Sequence, residues 1–223
     1  MFKAIVIGGT GATGHQLIKQ LIENDNCEKI TSIGRKPVLN GQEHNKLSDI
    51  VLDSLFDLSS TKDYWQGNNC FFNCIGTTRR LAGGPREFIN IEAGISKEAA
   101  KMASKANIAH ASLISAAGAN HKRWAVEWIH PLLYIKTMGQ KEQTIVSDFH
   151  FKYVSIFKPG MLVRLQDKEP WFEKILKKTG FGLRVDSLAS AMIKDAEKVA
   201  NGLVSEELKY FIGNNDIISS KSN

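Results

Sequence analysis

The chain lacks any uninterrupted apolar run of about 18 residues, so it offers no candidate transmembrane helix. Cysteine is scarce: Cys27, Cys70 and Cys74 are too few and too scattered for a disulfide framework. Cys70 and Cys74 have no histidine or further cysteine near them in sequence, so no metal site is expected. Reduced, buried thiols in a cytoplasmic protein are the expectation. There is also no run of like charge. The 29 basic and 23 acidic residues leave a net charge of +6 that is spread along the chain, which argues against nucleic acid as a partner. A dispersed positive field suits a small polyanionic cofactor instead. No internal repeat and no low-complexity tract is present. The first nine residues lack a long apolar core and a small-residue cleavage site, so they read as a strand rather than a signal peptide.

What is present is alternation. Short apolar runs at residues 3–7, 29–33, 49–52, 69–75, 110–115 and 151–157 read as strands. Helical periodicity separates several of them, over 13–22, 86–105 and 131–146. Short connections between such elements predict an α/β fold: a doubly wound, mostly parallel sheet with helices on both faces. The last third changes character. Phe157-Lys158-Pro159-Gly160 closes a strand with two breakers. Residues 170–178 read as a short helix with Trp171, Phe172, Ile175 and Leu176 on one side. A helix over 186–201, N-capped by Asp186, and a short strand at 210–212 follow. Residues 1–218 are expected to form one domain, with 157–218 as a small substrate-side cap and a disordered tail from Ser219.

Gly8, Gly11 and Gly14 fall at three-residue spacing in Gly8-Gly9-Thr10-Gly11-Ala12-Thr13-Gly14, between a strand and a helix. In a Rossmann turn the first glycine permits the tight bend, the second lets a pyrophosphate approach the backbone, and the third allows close helix–strand packing. The helix start then offers unpaired N–H groups to phosphate. Gly8, Thr10, Gly11, Ala12, Thr13 and Gly14 are therefore expected to bind a dinucleotide. At the end of the second strand an acidic residue would accept from an NAD ribose. Arg35 and Lys36 stand there instead and suit a 2′-phosphate, so NADP(H) is the expected cofactor. Asp53, closing the third strand, reads equally as an adenine contact and as a plain strand-end aspartate. His15 reads equally as a phosphate contact and as a solvated first-turn histidine.

With those residues, Cys74-Ile75-Gly76-Thr77-Thr78-Arg79, Leu113-Ile114-Ser115 with Gly118-Ala119, and Phe157-Lys158-Pro159-Gly160, the chain resembles the atypical short-chain dehydrogenase/reductases, in particular the Tat-interacting-protein-like (CC3-type) family. The resemblance spans about residues 3–200. It implies a Rossmann fold, NADP(H) binding, Gly76 and Thr77 along the cofactor, and an oxidoreductase ancestry. It also implies a catalytic tyrosine with a lysine four residues later and a serine after the fifth strand. Tyr134 and Ser115 are the matching candidates, but Met138 stands where the lysine belongs. Tyr64, Tyr153 and Tyr210 are followed at that spacing by Asn68, Phe157 and Asn214, so the chain contains no Y-x-x-x-K. Lys136 is on the wrong face of a helix. Lys141 is seven residues on, about 10 Å along the axis, and would have to bend back to reach the tyrosine. In 120–133, Glu127 and His130 form one replacement acid–base pair; the alternative is that this stretch, with Trp124 and Trp128, only packs. Two functions remain open: reduction of a small carbonyl compound by NADPH at a degraded site, or a non-catalytic NADP(H)-bound sensor with a protein partner. A monomer and a homodimer are equally compatible with the sequence.

Overall fold

Alternate residues of a strand face opposite sides of a sheet, and in the first strand, β1 (Phe2–Ile7), both sides are apolar. Such a strand has to be covered on both faces, and it is. Ala4 and Val6 join a core with Leu17, Ile18 and Leu21, while Ile5 and Ile7 join a second core with Ala99, Ala100 and Ala103. The computed structural model describes residues 1–126, 128–165 and 182–221.

In chain order, β1 is followed by α1 (Ala12–Glu23), β2 (Cys27–Gly34), β3 (Leu47–Val51), α2 (Lys62–Trp65), β4 (Cys70–Asn73), α3 (Arg79–Ala82), α4 (Pro85–Ile89), α5 (Ser96–Lys105), β5 (His110–Ile114), α6 (His130–Gln143), β6 (Tyr153–Lys158), β7 (Leu162–Val163), β8 (Leu183–Arg184), α7 (Val185–Ala200), β9 (Leu208–Ile212) and α8 (Gly213–Ser219). Seven strands form one sheet in the order β3-β2-β1-β4-β5-β6-β9, and every pairing is parallel. The order reverses between β1 and β4. That is the switch point of a doubly wound Rossmann sheet, where a crevice opens beyond the strand C-termini.

Two expectations change. The helix expected over 86–105 is α4 and α5 joined by a wide turn, Asn90–Ile95, in which hydrogen bonds span five residues. Asp186 does not cap α7. The capping residue is Arg184, and the Asp186 carboxylate instead accepts from the Ser187 N–H and the Arg184 guanidinium. α8 runs to Ser219, with Ile217 buried against the α7 side of the core.

Within the segment expected to cap the site, two elements pack on or beside the main sheet. α7 lies along α1, with Leu188, Met192 and Ala196 in the same core as Leu17 and Leu21, and β9 extends the main sheet beyond β6. These elements cover and widen the sheet. The expected helix over 170–178 lies outside the described residues.

All three cysteines are free and buried. Burial pushes the Cys74 thiol up to about 12 and the Cys27 thiol up to about 11. Thiol reagents at neutral pH should therefore label none of the three in the folded protein and all three in denaturant. Mass spectrometry after a short alkylation pulse checks this, and rapid native labelling of Cys74 would contradict it.

Candidate functional site

Beyond β1 the chain turns on Gly8, whose φ is +83°. A Cβ on Gly8 would lie 2.6 Å from the backbone carbon and oxygen of Cys74, so the turn is pressed against the end of β4. The Gly8 carbonyl accepts from the Gly11 N–H at 3.0 Å. A Cβ on Gly14 would stand 2.3 Å from that same carbonyl oxygen. Gly11 caps α1 without a side chain, and no acidic residue occupies the first helical turn. The helix therefore presents unspent N–H groups and its positive end to the crevice.

That crevice is a cleft of about 260 Å³. Gly11, Ala12 and Thr13 form one wall, and Ile75, Gly76 and Thr77, the loop after β4, form the next. Ser115 enters from the end of β5, and Tyr134, Met138 and Lys141 from α6. Leu162 and Arg164 close the far side. Seven of the residues expected from sequence are thus brought to one cavity: Gly11, Ala12, Thr13, Gly76, Thr77, Ser115 and Tyr134. Gly8 and Gly14 shape the turn behind it, and Thr10 is exposed on it. Arg35, Lys36 and Asp53 are exposed outside this cleft, beyond the C-terminal ends of β2 and β3. Asp53 does not close the third strand, which ends at Val51.

Tyr134 is half-buried. Its ring lies beside Phe88, with centroids 6.1 Å apart, and meets His130 at 6.2 Å in an edge-on arrangement. Burial raises its pKa above the ordinary tyrosine value, and the Glu92 carboxylate raises it further, while the Arg164 guanidinium opposes both. The phenol is therefore held in its protonated form at neutral pH. Met138 is buried with Phe88, Ala116 and Leu133, so the position expected to carry an ammonium is filled by an apolar side chain.

The lysine seven residues beyond Tyr134 is nonetheless at the cleft. Residues 134, 138 and 141 fall at helical spacing on one stripe of α6. The Lys141 ammonium donates to the Ile75 carbonyl at 2.6 Å and to Glu92 Oε2 at 3.3 Å. Glu92 Oε1 accepts the Thr77 N–H at 2.6 Å. Lys141 and Glu92 are each 2% exposed, so this ion pair forms the floor of the cleft rather than its rim. Glu92 sits in the wide turn between α4 and α5, a backbone feature often found at functional sites.

Ser115 is on the cleft, but its hydroxyl donates to Glu142 Oε1 at 2.5 Å, and Lys158 pairs with the other oxygen of Glu142 at 2.9 Å. Sequence reading missed Glu92 and Glu142. A signal existed: Phe88, Glu92 and Ile95 share an i, i+4, i+7 stripe, and a carboxylate on an otherwise apolar inward face needs a buried partner. Trp124 and Trp128, for which packing was one of two readings, are 67% and 75% exposed. The suggested Glu127–His130 pair lies partly outside the described residues, at Glu127. Among the described residues no cluster suits a metal ion, and no helix is long and apolar enough to cross a membrane.

No protein-family model matches the chain. Among curated proteins it is 32% identical to protein FMP52, mitochondrial, of Debaryomyces hansenii over 166 residues, 74% of this chain and 69% of that one. It is 26% identical to protein HTATIP2 of Rattus norvegicus over 218 residues, 97% of this chain and 86% of that one. Among solved structures, a double mutant of DesIV, a dTDP-glucose 4,6-dehydratase from Streptomyces venezuelae with NAD bound, superposes with a TM-score of 0.70. It covers 95% of this chain and 75% of that one at 13% identity, a likeness of fold. The expectation of a cytoplasmic protein is corrected by these relatives, since the FMP52 proteins are named as mitochondrial in several yeasts. The chain belongs to the atypical short-chain dehydrogenase/reductase family, in the group that holds HTATIP2 and FMP52.

Proposed function

We propose that this protein binds NADP(H) and reduces a small carbonyl compound, with Tyr134 as proton donor. One observation carries the reading: the glycine turn, uncapped by any side chain, opens into the same cleft as the Tyr134 ring. The residues present fit a dinucleotide, because a Cβ at Gly8 or Gly14 would strike backbone and the open N–H groups of α1 suit pyrophosphate. Gly8, Thr10, Gly11, Ala12, Thr13 and Gly14 would hold the phosphates, and Gly76 and Thr77 would flank the nicotinamide half. Arg35 and Lys36 would meet a 2′-phosphate, and Asp53 an adenine amino group. When bound, the nucleotide supplies a hydride.

Tyr134 then gives its proton to the substrate oxygen, which its elevated pKa allows across the whole neutral range. Ser115 stands at the cleft with its hydroxyl proton donated to Glu142, so it orients a substrate carbonyl only by turning that O–H from Glu142 to the carbonyl oxygen. Met138 favours the second reading, a nucleotide-bound protein that acts through a partner, because no ammonium stands four residues from the tyrosine.

Fluorescence titration should find NADPH bound at least about tenfold more tightly than NADH, with Arg35→Ala removing the difference. A preference for NADH would overturn the role given to Arg35. Across a panel of aldehydes and ketones, Tyr134→Phe should lower turnover by roughly 100-fold or more. Turnover that survives this change would overturn the catalytic assignment. Turnover found only in Met138→Lys would favour the partner-binding reading.

A further inference from the structure

The cleft has Met138 where the family resemblance calls for a lysine, yet it carries a buried ammonium, Lys141, from the next turn of the same helix. A buried charge is costly unless paired and hydrogen-bonded, and the cost of desolvating two ions is seldom repaid by their attraction alone. Lys141 has two of its three N–H groups engaged, by the Ile75 carbonyl and Glu92. Glu92 in turn grips the Thr77 N–H. The pair thus ties α6, the wide turn and the loop 75–77 into one unit that lines the same cleft as Tyr134.

We infer that Lys141 is the positioning residue of this cleft: from one turn beyond the missing lysine, it fixes the loop 75–77 and balances the Glu92 charge against which Tyr134 works. This rests on the reading of Tyr134 as proton donor. The charged and titratable groups around that phenol are Glu92 from the wide turn, Arg164 from beyond β7, His130 one turn earlier on α6, and Lys141 itself. Cys74, also on the cleft, stays a neutral thiol. Glu92 pushes the phenol toward its protonated form and Arg164 opposes that push; the part inferred for Lys141 comes through its ion pair with the same Glu92 carboxylate. The two residues should therefore act on Tyr134 in opposite directions, which a purely structural clamp would not do.

The test is a near-ultraviolet phenolate titration without nucleotide, read as the difference from Tyr134→Phe in each background. Lys141→Gln should move the Tyr134 midpoint up, and Glu92→Gln should move it down. Where Lys141→Gln fails to fold, the double variant Glu92→Gln/Lys141→Gln takes its place and should titrate above Glu92→Gln alone. Coincident midpoints, or shifts of the same sign, would overturn the inference. A second readout is NADPH affinity: Lys141→Gln should weaken it about tenfold by releasing the loop. If wild-type protein binds no NADPH, the proposed function fails while the titration still judges Lys141. If NADPH binds normally but the midpoints coincide, only the inference fails.

Discussion

Gly14→Ala should abolish measurable NADPH binding and lower the melting temperature. The added methyl would sit 2.3 Å from the Gly8 oxygen, 2.9 Å from the Gly8 carbon and 3.0 Å from Gly9 Cα. All three atoms are backbone, so no side-chain rotation relieves the contact. α1 would have to slide away from the turn, carrying Leu17, Ile18 and Leu21 out of register with the sheet. Overpacking of this kind costs about 1–3 kcal/mol. For a chain of this length that is a fall of roughly 2–12 °C, by differential scanning calorimetry. Gly11→Ala is the informative control. Its Cβ, within the cleft wall, would meet the Gly8 oxygen at 3.2 Å and the Cys74 oxygen no nearer than 3.9 Å. It should keep the melting temperature within about 2 °C while weakening NADPH by about tenfold or more, since the methyl intrudes where the phosphates approach. Equal binding by wild type and Gly14→Ala would show that the turn is not the phosphate cradle.

The turn was legible from sequence because its meaning is local: glycines at fixed spacing between a strand and a helix determine backbone geometry within ten residues. The strands β1, β4 and β5 were legible for a related reason, being apolar runs that only a central sheet position can bury. β3 was read two residues short because it lies at the sheet edge. Its opening Leu47-Ser48 is only partly buried and carries little apolar signal. The floor of the cleft was not legible. Glu92 and Lys141 are 49 residues apart, and nothing in either helix announces the other. Gly139 makes the same point. It looks like a weak spot in a helix, yet a Cβ there would lie 2.1 Å from the His121 nitrogen, because the loop after β5 crosses α6 at that residue. Nor was the packing of α7 legible, because an amphipathic face does not name its partner in sequence. Only the fold reveals that its partner is α1, at the other end of the chain.

Lys141→Met alone should be among the most destabilising single changes in the protein, at about 3–5 kcal/mol, because it leaves the Glu92 carboxylate buried without its counter-ion. At this chain length the melting temperature should fall by roughly 6–20 °C. Glu92→Gln/Lys141→Met should recover most of that loss, since the amide still accepts from Thr77 and no charge remains to be desolvated. Urea unfolding of the four proteins of this cycle gives the coupling directly, and additive losses would show that the two side chains do not interact. The cycle also decides why the pair exists. A neutral floor as stable as the charged one would mean that stability is not its purpose. If that double variant also binds NADPH less well or titrates its tyrosine differently, the charges are kept for the cleft they underlie.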